Sequence, residues 1–229
     1  MSRDAFLTRV RQAAEMGRAY RVHLHEVPEE IGYVGVDGDL VQRFAAEVDE
    51  VGGQSYLVHD AAGACATLSR LVEEAGATSA LCWQHELLER IGLPAFLKER
   101  GIAQHDFDSV SPLDASQQRE KMLACDMGIT SCDLAIAETG TLMMCSRPGQ
   151  ERVASLLPPY YVTIVERRQI VPDLIDAFRK LEGSGFGVQG SGLPSNVTFI
   201  TGPSKTGDIE LQLTTGVHGP GRWRVIVIA

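Results

Sequence analysis

The sequence predicts a layered α/β fold built on a mostly parallel sheet. Short apolar and β-branched runs alternate with helical periodicities along most of the 229 residues, the pattern of βαβ units joined by right-handed crossovers. The run Leu134–Ala137 is too short for a helix and has no polar alternation, which is how a strand buried on both faces reads. Glycines stand at the helix ends, and acceptor side chains that can cap helices stand at several of their starts.

Taken in order, Ser2 can cap a first helix in which Phe6, Val10 and Ala14 share one face and which Gly17 ends. Its thin apolar stripe suits packing against the body or against another subunit. Residues Tyr20 to Asp37 lack a clean period and read as a connector. Within it, His23 and His25 alternate with Val22 and Leu24, and an exposed strand face fits them better than a metal-ligand pair. This organisation gives an N-terminal helix and connector over 1–35 and a single α/β domain over 36–229.

In that domain, Leu40, Phe44, Val48 and Val51 form a helical face that stops at Gly52-Gly53. Ser55–His59 is a strand, and Asp60 caps a helix carrying Leu68, Leu71 and Val72 as far as Gly76. Ser79–Trp83 is the next strand. Leu87, Leu88 and Ile91 give a helix broken near Gly92 and Pro94 and resumed through Phe96 and Leu97. Ile102–Phe107 is a third strand, and Asp114 with Gln117 makes a capping-box start for a helix ending near Cys125. Leu134–Ala137 is expected as the fourth strand. With Thr141–Cys145 it forms either one bent strand or a hairpin around Thr139-Gly140. From Arg147 a polar loop and a short helical turn lead to Pro158-Pro159. Tyr160–Val165 is a strand, and Pro172 is placed as the first residue of a helix carrying Leu174, Ile175, Phe178 and Leu181. The Gly- and Ser-rich stretch Gly183–Asn196 is read as a lid in preference to a passive linker. Val197–Ile200 and Trp223–Ile228 complete the strands.

Composition narrows the function. A net charge of −9 argues against a nucleic-acid partner, while local Lys and Arg still permit a small anionic ligand. The five cysteines, Cys65, Cys82, Cys125, Cys132 and Cys145, show neither a CxxC pair nor a ferredoxin-like run, so neither a zinc site nor an iron–sulfur cluster is expected. The N-terminus does not read as a signal peptide, and no apolar stretch nears the roughly 20 residues that span a bilayer. The expectation is a cytoplasmic protein with reduced thiols.

Chemistry-bearing residues gather after strands. Glu138-Thr139-Gly140-Thr141 follows the Leu134–Ala137 run, and ligands in open α/β sheets sit outside the carboxyl ends of strands. Glu138 is a candidate nucleophile or base, against the plainer reading of a solvated strand end. Thr201–Asp208 offers hydroxyls, backbone N–H groups and the Lys205 ammonium, the composition of an anion cradle. The glycine spacing of an ATPase phosphate loop is missing. Gly202, Ser204, Lys205 and Thr206 are its candidate ligand residues. Asp208 and Glu210 share one strand face and are either binding or merely solvated. His218, between Gly216 and Gly219, is a candidate for proton transfer or for polarising a carbonyl, or else a turn histidine bonded to backbone. Arg152 and Lys205 could neutralise a carboxylate or phosphate, and either could be a surface charge. No metal site is expected.

Five ordered motifs carry a resemblance: GIT with DLAIAETGT over 128–141, SLLPP over 155–159, IVPDLIDA over 170–177, GPSKTGDIE over 202–210 and GVHGP over 216–220. Together they resemble the lactate utilization protein C family, or LUD domain, densely from about Lys121 onward. Lys205 and Gly207 stand where many relatives would carry Arg and Ala, and Lys keeps the charge but not the bidentate geometry. The resemblance implies a three-layer α/β/α sandwich with a Rossmann-like sheet, similar to the isomerase and coenzyme A transferase superfamily. It further implies a bacterial system that oxidises L-lactate to pyruvate with two iron–sulfur partner proteins. In that system this chain would be the cluster-free component, binding substrate or an unidentified cofactor in a cleft at the strand ends. The alternatives are a stand-alone transferase-like or isomerase-like enzyme using Glu138, and a ligand-sensing regulatory subunit.

Overall fold

The computed structural model describes residues 3–18, 36, 38–183, 194, 196–207 and 214–229. The chain falls into two units, Met1–Val34 and Gly35–Ala229. In the first, helix α1 (Arg3–Arg18) is described, with Phe6 and Val10 exposed. The Ser2 cap, His23 and His25 lie outside the described residues.

The second unit begins with α2 (Leu40–Glu50), β1 (Gln54–Val58), α3 (Ala61–Ala75) and β2 (Ser79–Cys82). There follow α4 (Glu86–Arg90), α5 (Leu93–Glu99), β3 (Ala103–His105), α6 (Phe107–Val110), α7 (Ala115–Leu123) and β4 (Met127–Thr130). Next come β5 (Leu134–Ile136), β6 (Thr141–Cys145), a 3₁₀ turn at Arg152–Ser155, β7 (Tyr160–Glu166), β8 (Ile170–Val171) and α8 (Leu174–Gly183). The chain closes with β9 (Val197–Ile200), β10 (Lys205–Thr206), β11 (Thr214–Thr215) and β12 (Arg222–Ile228). Side-chain acceptors start several of the helices, Asp60 and Asp114 as the sequence suggests. Asp39 accepts from Val41 N, Asp60 from Gly63 N, and Asp114 forms a reciprocal capping box with Gln117.

Six strands form an all-parallel sheet in the order β1-β12-β7-β4-β2-β3. Successive residues of a strand face opposite ways, and β12 uses this to gather two helical layers. Trp223 faces the end of α2, where a Cβ on Gly53 would strike both its ring and Val48. Arg224 turns the other way and pairs with Glu74 of α3 at 3.0 Å. The helices α2 and α3 therefore flank opposite faces, giving a helix–sheet–helix sandwich.

Two sequence expectations are corrected. The fourth strand of the parallel sheet is β4, not Leu134–Ala137. The latter contributes β5 to a separate four-stranded sheet of order β8-β5-β6-β9, in which β5 and β6 form an antiparallel hairpin with Leu134 opposite Met143 and Ile136 opposite Thr141. The reason is burial on both faces. Ala135, Ala137, Leu142 and Met144 join the main core, whereas Leu134, Ile136, Met143 and Cys145 pack with Val171, Ala177 and Leu181. Such a strand has no polar alternation in either kind of sheet, so periodicity could not tell the two apart. The second correction concerns Pro172, which precedes α8 instead of opening it. Asp173 accepts from Asp176 N at 2.8 Å, and the helix starts at Leu174. On α8, Leu174, Ile175 and Phe178 are exposed and Ala177 and Leu181 are buried. Most of Gly183–Asn196, like Asp208 and Glu210, lies outside the described residues.

Candidate functional site

The end of α2 is a platform on which two of the sequence motifs rest. Gly140 has φ 61°, and a Cβ there would fall 2.6 Å from the Glu47 carbonyl carbon and Val48 N. Gly202 has φ 86°, and its Cβ would fall 2.7 Å from the Val51 carbonyl oxygen. Left-handed backbone against another backbone leaves room for glycine alone. A chain of hydroxyls ties the two loops: Thr139 Oγ1 to Thr141 Oγ1 at 2.7 Å, and Thr141 Oγ1 to Thr201 Oγ1 at 2.7 Å. Lys205 Nζ donates to the Val51 carbonyl at 2.6 Å. The ammonium thereby satisfies an end carbonyl of α2 and meets the negative end of its dipole.

Beyond this platform the loops close on themselves. β10 pairs antiparallel with β11, Lys205 opposite Thr215. Ser204 N donates to the Pro220 carbonyl and Gly216 N to the Ser204 carbonyl, both at 2.9 Å. A Cβ on Gly219 would come within 3.3 Å of Ser204 Cβ, so a glycine keeps that approach open. The result is a cavity of about 270 Å³ to which three distant segments contribute: Ser155 and Leu156, Thr201 to Ser204, and His218 to Pro220. Its floor includes Tyr161 and Trp223, the second residues of β7 and β12. Tyr161 is buried, its hydroxyl 2.7 Å from Thr130 Oγ1, and burial pushes its pKa up. Thus Gly202, Ser204, His218 and Gly219 come together. They do so at the amino ends of β7 and β12 and the carboxyl end of β9, not outside the carboxyl ends of the parallel sheet.

The remaining sequence candidates are placed elsewhere. Glu138 is half-buried, its backbone N–H donates to the Pro172 carbonyl at 2.9 Å, and it lines neither this cavity nor the larger one below. Thr139, Gly140 and Thr141 support the loop from behind. Lys205 is turned to α2, and Thr206 lies in β10. Arg152 is exposed and lines a second cavity.

That second cavity, about 770 Å³, opens at the carboxyl ends of β2 and β3, with Leu81, Cys82 and Asp106 in its wall. Here the chain's path across the sheet reverses, from β2 outward to β3 and back to β4, the kind of switch point at which α/β proteins bind ligands. The two cavities share a wall. Arg152, Val153, Ala154 and Asn196 face the larger one, while Ser155, Leu156 and Thr198 face the smaller. Gly128 of β4 lets this wall approach, since a Cβ would overlap the Ala154 carbonyl oxygen.

Sequence reading missed a polar cluster beside the larger cavity. The Asp133 carboxylate, nearly buried, pairs with Arg147 and accepts from Cys145 N at 2.7 Å, and Arg147 Nε donates to Gln150 Oε1 at 2.6 Å. His85 caps α4 by accepting from Leu87 N at 3.1 Å. Burial pushes its imidazole pKa down, against the pull of the Asp133 carboxylate. The available signal was Asp133 itself, an acid directly before an unbroken apolar run. The thiols are held protonated by burial: Cys125 is pushed up to about 11, Cys145 to about 12, and Cys82 and Cys132 are also raised. Among the described residues no three His, Cys, Asp or Glu side chains group as a metal site, and no helix is long and apolar enough to cross a membrane.

A parallel sheet flanked by helices, with a second sheet beside a looped cavity, defines a layered α/β domain. The LUD domain model matches residues 41–228, and the chain belongs to that family. It is similar to lactate utilization protein C of Halalkalibacterium halodurans, 34% identical over 161 residues that cover 70% of this chain and 67% of that protein. Lactate utilization protein C of Anoxybacillus flavithermus is 27% identical over 234 residues, 98% of each chain. Among solved structures, a DUF162 family protein from Deinococcus radiodurans has a TM-score of 0.59 at 22% identity, covering 83% of this chain and 96% of that one. That likeness bears on the fold alone.

Proposed function

We propose that this protein is a component of a bacterial L-lactate utilization system and that it binds a small 2-hydroxy or 2-oxo acid in the smaller cavity. The observation that carries the reading is the convergence of Ser155, Ser204 and His218, from three separated motifs, on one cavity of about 270 Å³. That size is below the roughly 300–1,000 Å³ of drug-sized ligand pockets and suits a ligand of lactate's class. The Ser204 hydroxyl can donate to a carboxylate, while Ser155, whose O–H donates to the Arg152 carbonyl at 2.8 Å, can still accept from a ligand hydroxyl. Among the lining residues His218 is the side chain that can carry a positive charge, which places it to meet the anionic end of an acid.

Oxidation of lactate to pyruvate releases two electrons and two protons. On this reading the electrons leave through two iron–sulfur partner proteins, with this chain as the cluster-free component. The names of its relatives support the lactate system. Glu138 is given a supporting place behind the Thr139–Thr201 hydroxyl chain. The test is to titrate L-lactate calorimetrically into the wild-type protein and Ser204→Ala, and to assay co-purification with the two iron–sulfur proteins. A saturable heat weakened several-fold by the substitution is expected. No saturable heat at millimolar lactate would defeat the assignment.

A further inference from the structure

The larger cavity has its own chemistry, independent of the lactate reading. Its interior is apolar, supplied by Leu81, Val110, Met122, Val153 and Ala154, with Phe107 at the side. Almost every polar group at its border is already engaged within the protein. Asp106 accepts from Ser109 N at 3.0 Å and from Gln104 Nε2 at 3.2 Å, and Glu151 accepts from Gly149 N at 2.9 Å. Gln118 donates to the Leu113 carbonyl at 2.8 Å, and Ser146 and Asn196 bond to each other at 3.1 Å. Arg147 is held by Asp133 and Gln150. Of its charged groups the exception is Arg152: among the described residues no carboxylate pairs with its guanidinium.

A large apolar chamber with one uncommitted cation at its rim selects for an apolar body with one anionic end. We infer that the larger cavity is a binding site for an amphipathic anion of cofactor size, an aromatic or chain-like apolar body whose carboxylate, phosphate or sulfonate meets Arg152. Its opening at the switch point of the parallel sheet is where such a ligand is expected in this architecture. The shared wall at Arg152–Leu156 sets that ligand next to the smaller cavity without merging the two.

The probe is 8-anilinonaphthalene-1-sulfonate, followed by fluorescence with the full-length protein, beside its uncharged counterpart N-phenyl-1-naphthylamine. One saturable site is expected. Arg152→Gln should weaken the sulfonate about tenfold, the loss of one charge-assisted contact, and leave the uncharged probe unchanged. Met122→Trp fills the chamber from a half-buried helix position and should abolish both, with an unchanged thermal transition showing that the protein is folded. L-Lactate affinity, measured on the same variants, reports separately on the smaller cavity. Absence of a saturable site, or sulfonate binding indifferent to both substitutions, overturns the inference.

Discussion

The smaller cavity is walled mainly by loops, the larger mainly by ends of strands and flanks of short helices, and the Arg152–Leu156 turn is common to both. The loops of the smaller one carry the residues that chemistry makes conspicuous in a sequence: glycines beside a histidine, serines beside proline, a lysine among hydroxyls. The larger one is lined by Leu, Val, Met and Ala whose contribution is shape, and its polar border is spent on caps and internal pairs. Conspicuous residues therefore located one cavity, while the other emerged only when helices and strands were assembled. Part of what is conspicuous is also structural. Lys205 and the Glu138–Thr141 turn are tied to α2 and to neighbouring backbone, and they line neither cavity.

Several changes would break or sharpen this contrast. The largest effect is expected from Gly128→Ala, which drives a methyl group into the Ala154 carbonyl behind the common wall. It should cost about 3 kcal/mol in urea unfolding and impair both cavities. A loss below about 1 kcal/mol would mean that the wall yields. Asp133→Asn removes the countercharge of Arg147 and weakens the acceptor of Cys145 N. Because Arg147 is only partly buried, the expected cost is about 2 kcal/mol, less than for a fully buried pair. Its functional effect should be confined to the sulfonate probe, and an equal loss of lactate affinity would unite the two sites.

A smaller effect comes from pH. Burial lowers the folded-state pKa of His85, so the unfolded chain takes up the proton first. The stability it contributes is complete above the unfolded value near 6.5 and is lost as pH falls from there toward the folded value. His85→Gln should flatten that part of the stability–pH curve, and an unchanged slope would clear His85 of the effect. The smallest change is expected for Glu138→Gln, within about 0.5 kcal/mol in stability and with lactate affinity unaltered. A large loss of affinity would return Glu138 to the binding surface.

Much of the α/β order was legible because capping residues and period-two or 3.6-residue spacing act locally. Asp60 and Asp114 did in the structure what their positions suggested. The second sheet was not legible, because β5 and β6 are buried on both faces and their partner strands lie far away in sequence. Likewise β4 was hidden, since Met127–Thr130 is short and includes Gly128, whose reason is a backbone contact with Ala154. Of the candidate site, the meeting of Ser204 with His218 could be suspected from glycine-flanked loops. The separation of Arg152 from them could not, because the 3₁₀ turn points successive residues into different cavities.

The central claim is that an acid bound in the smaller cavity meets His218 with its anionic end. It is tested most directly by titrating L-lactate calorimetrically into wild-type protein and His218→Ala. Saturable binding is expected in the wild type, and binding about tenfold weaker in the variant. Lactate binding of equal strength in His218→Ala would contradict it.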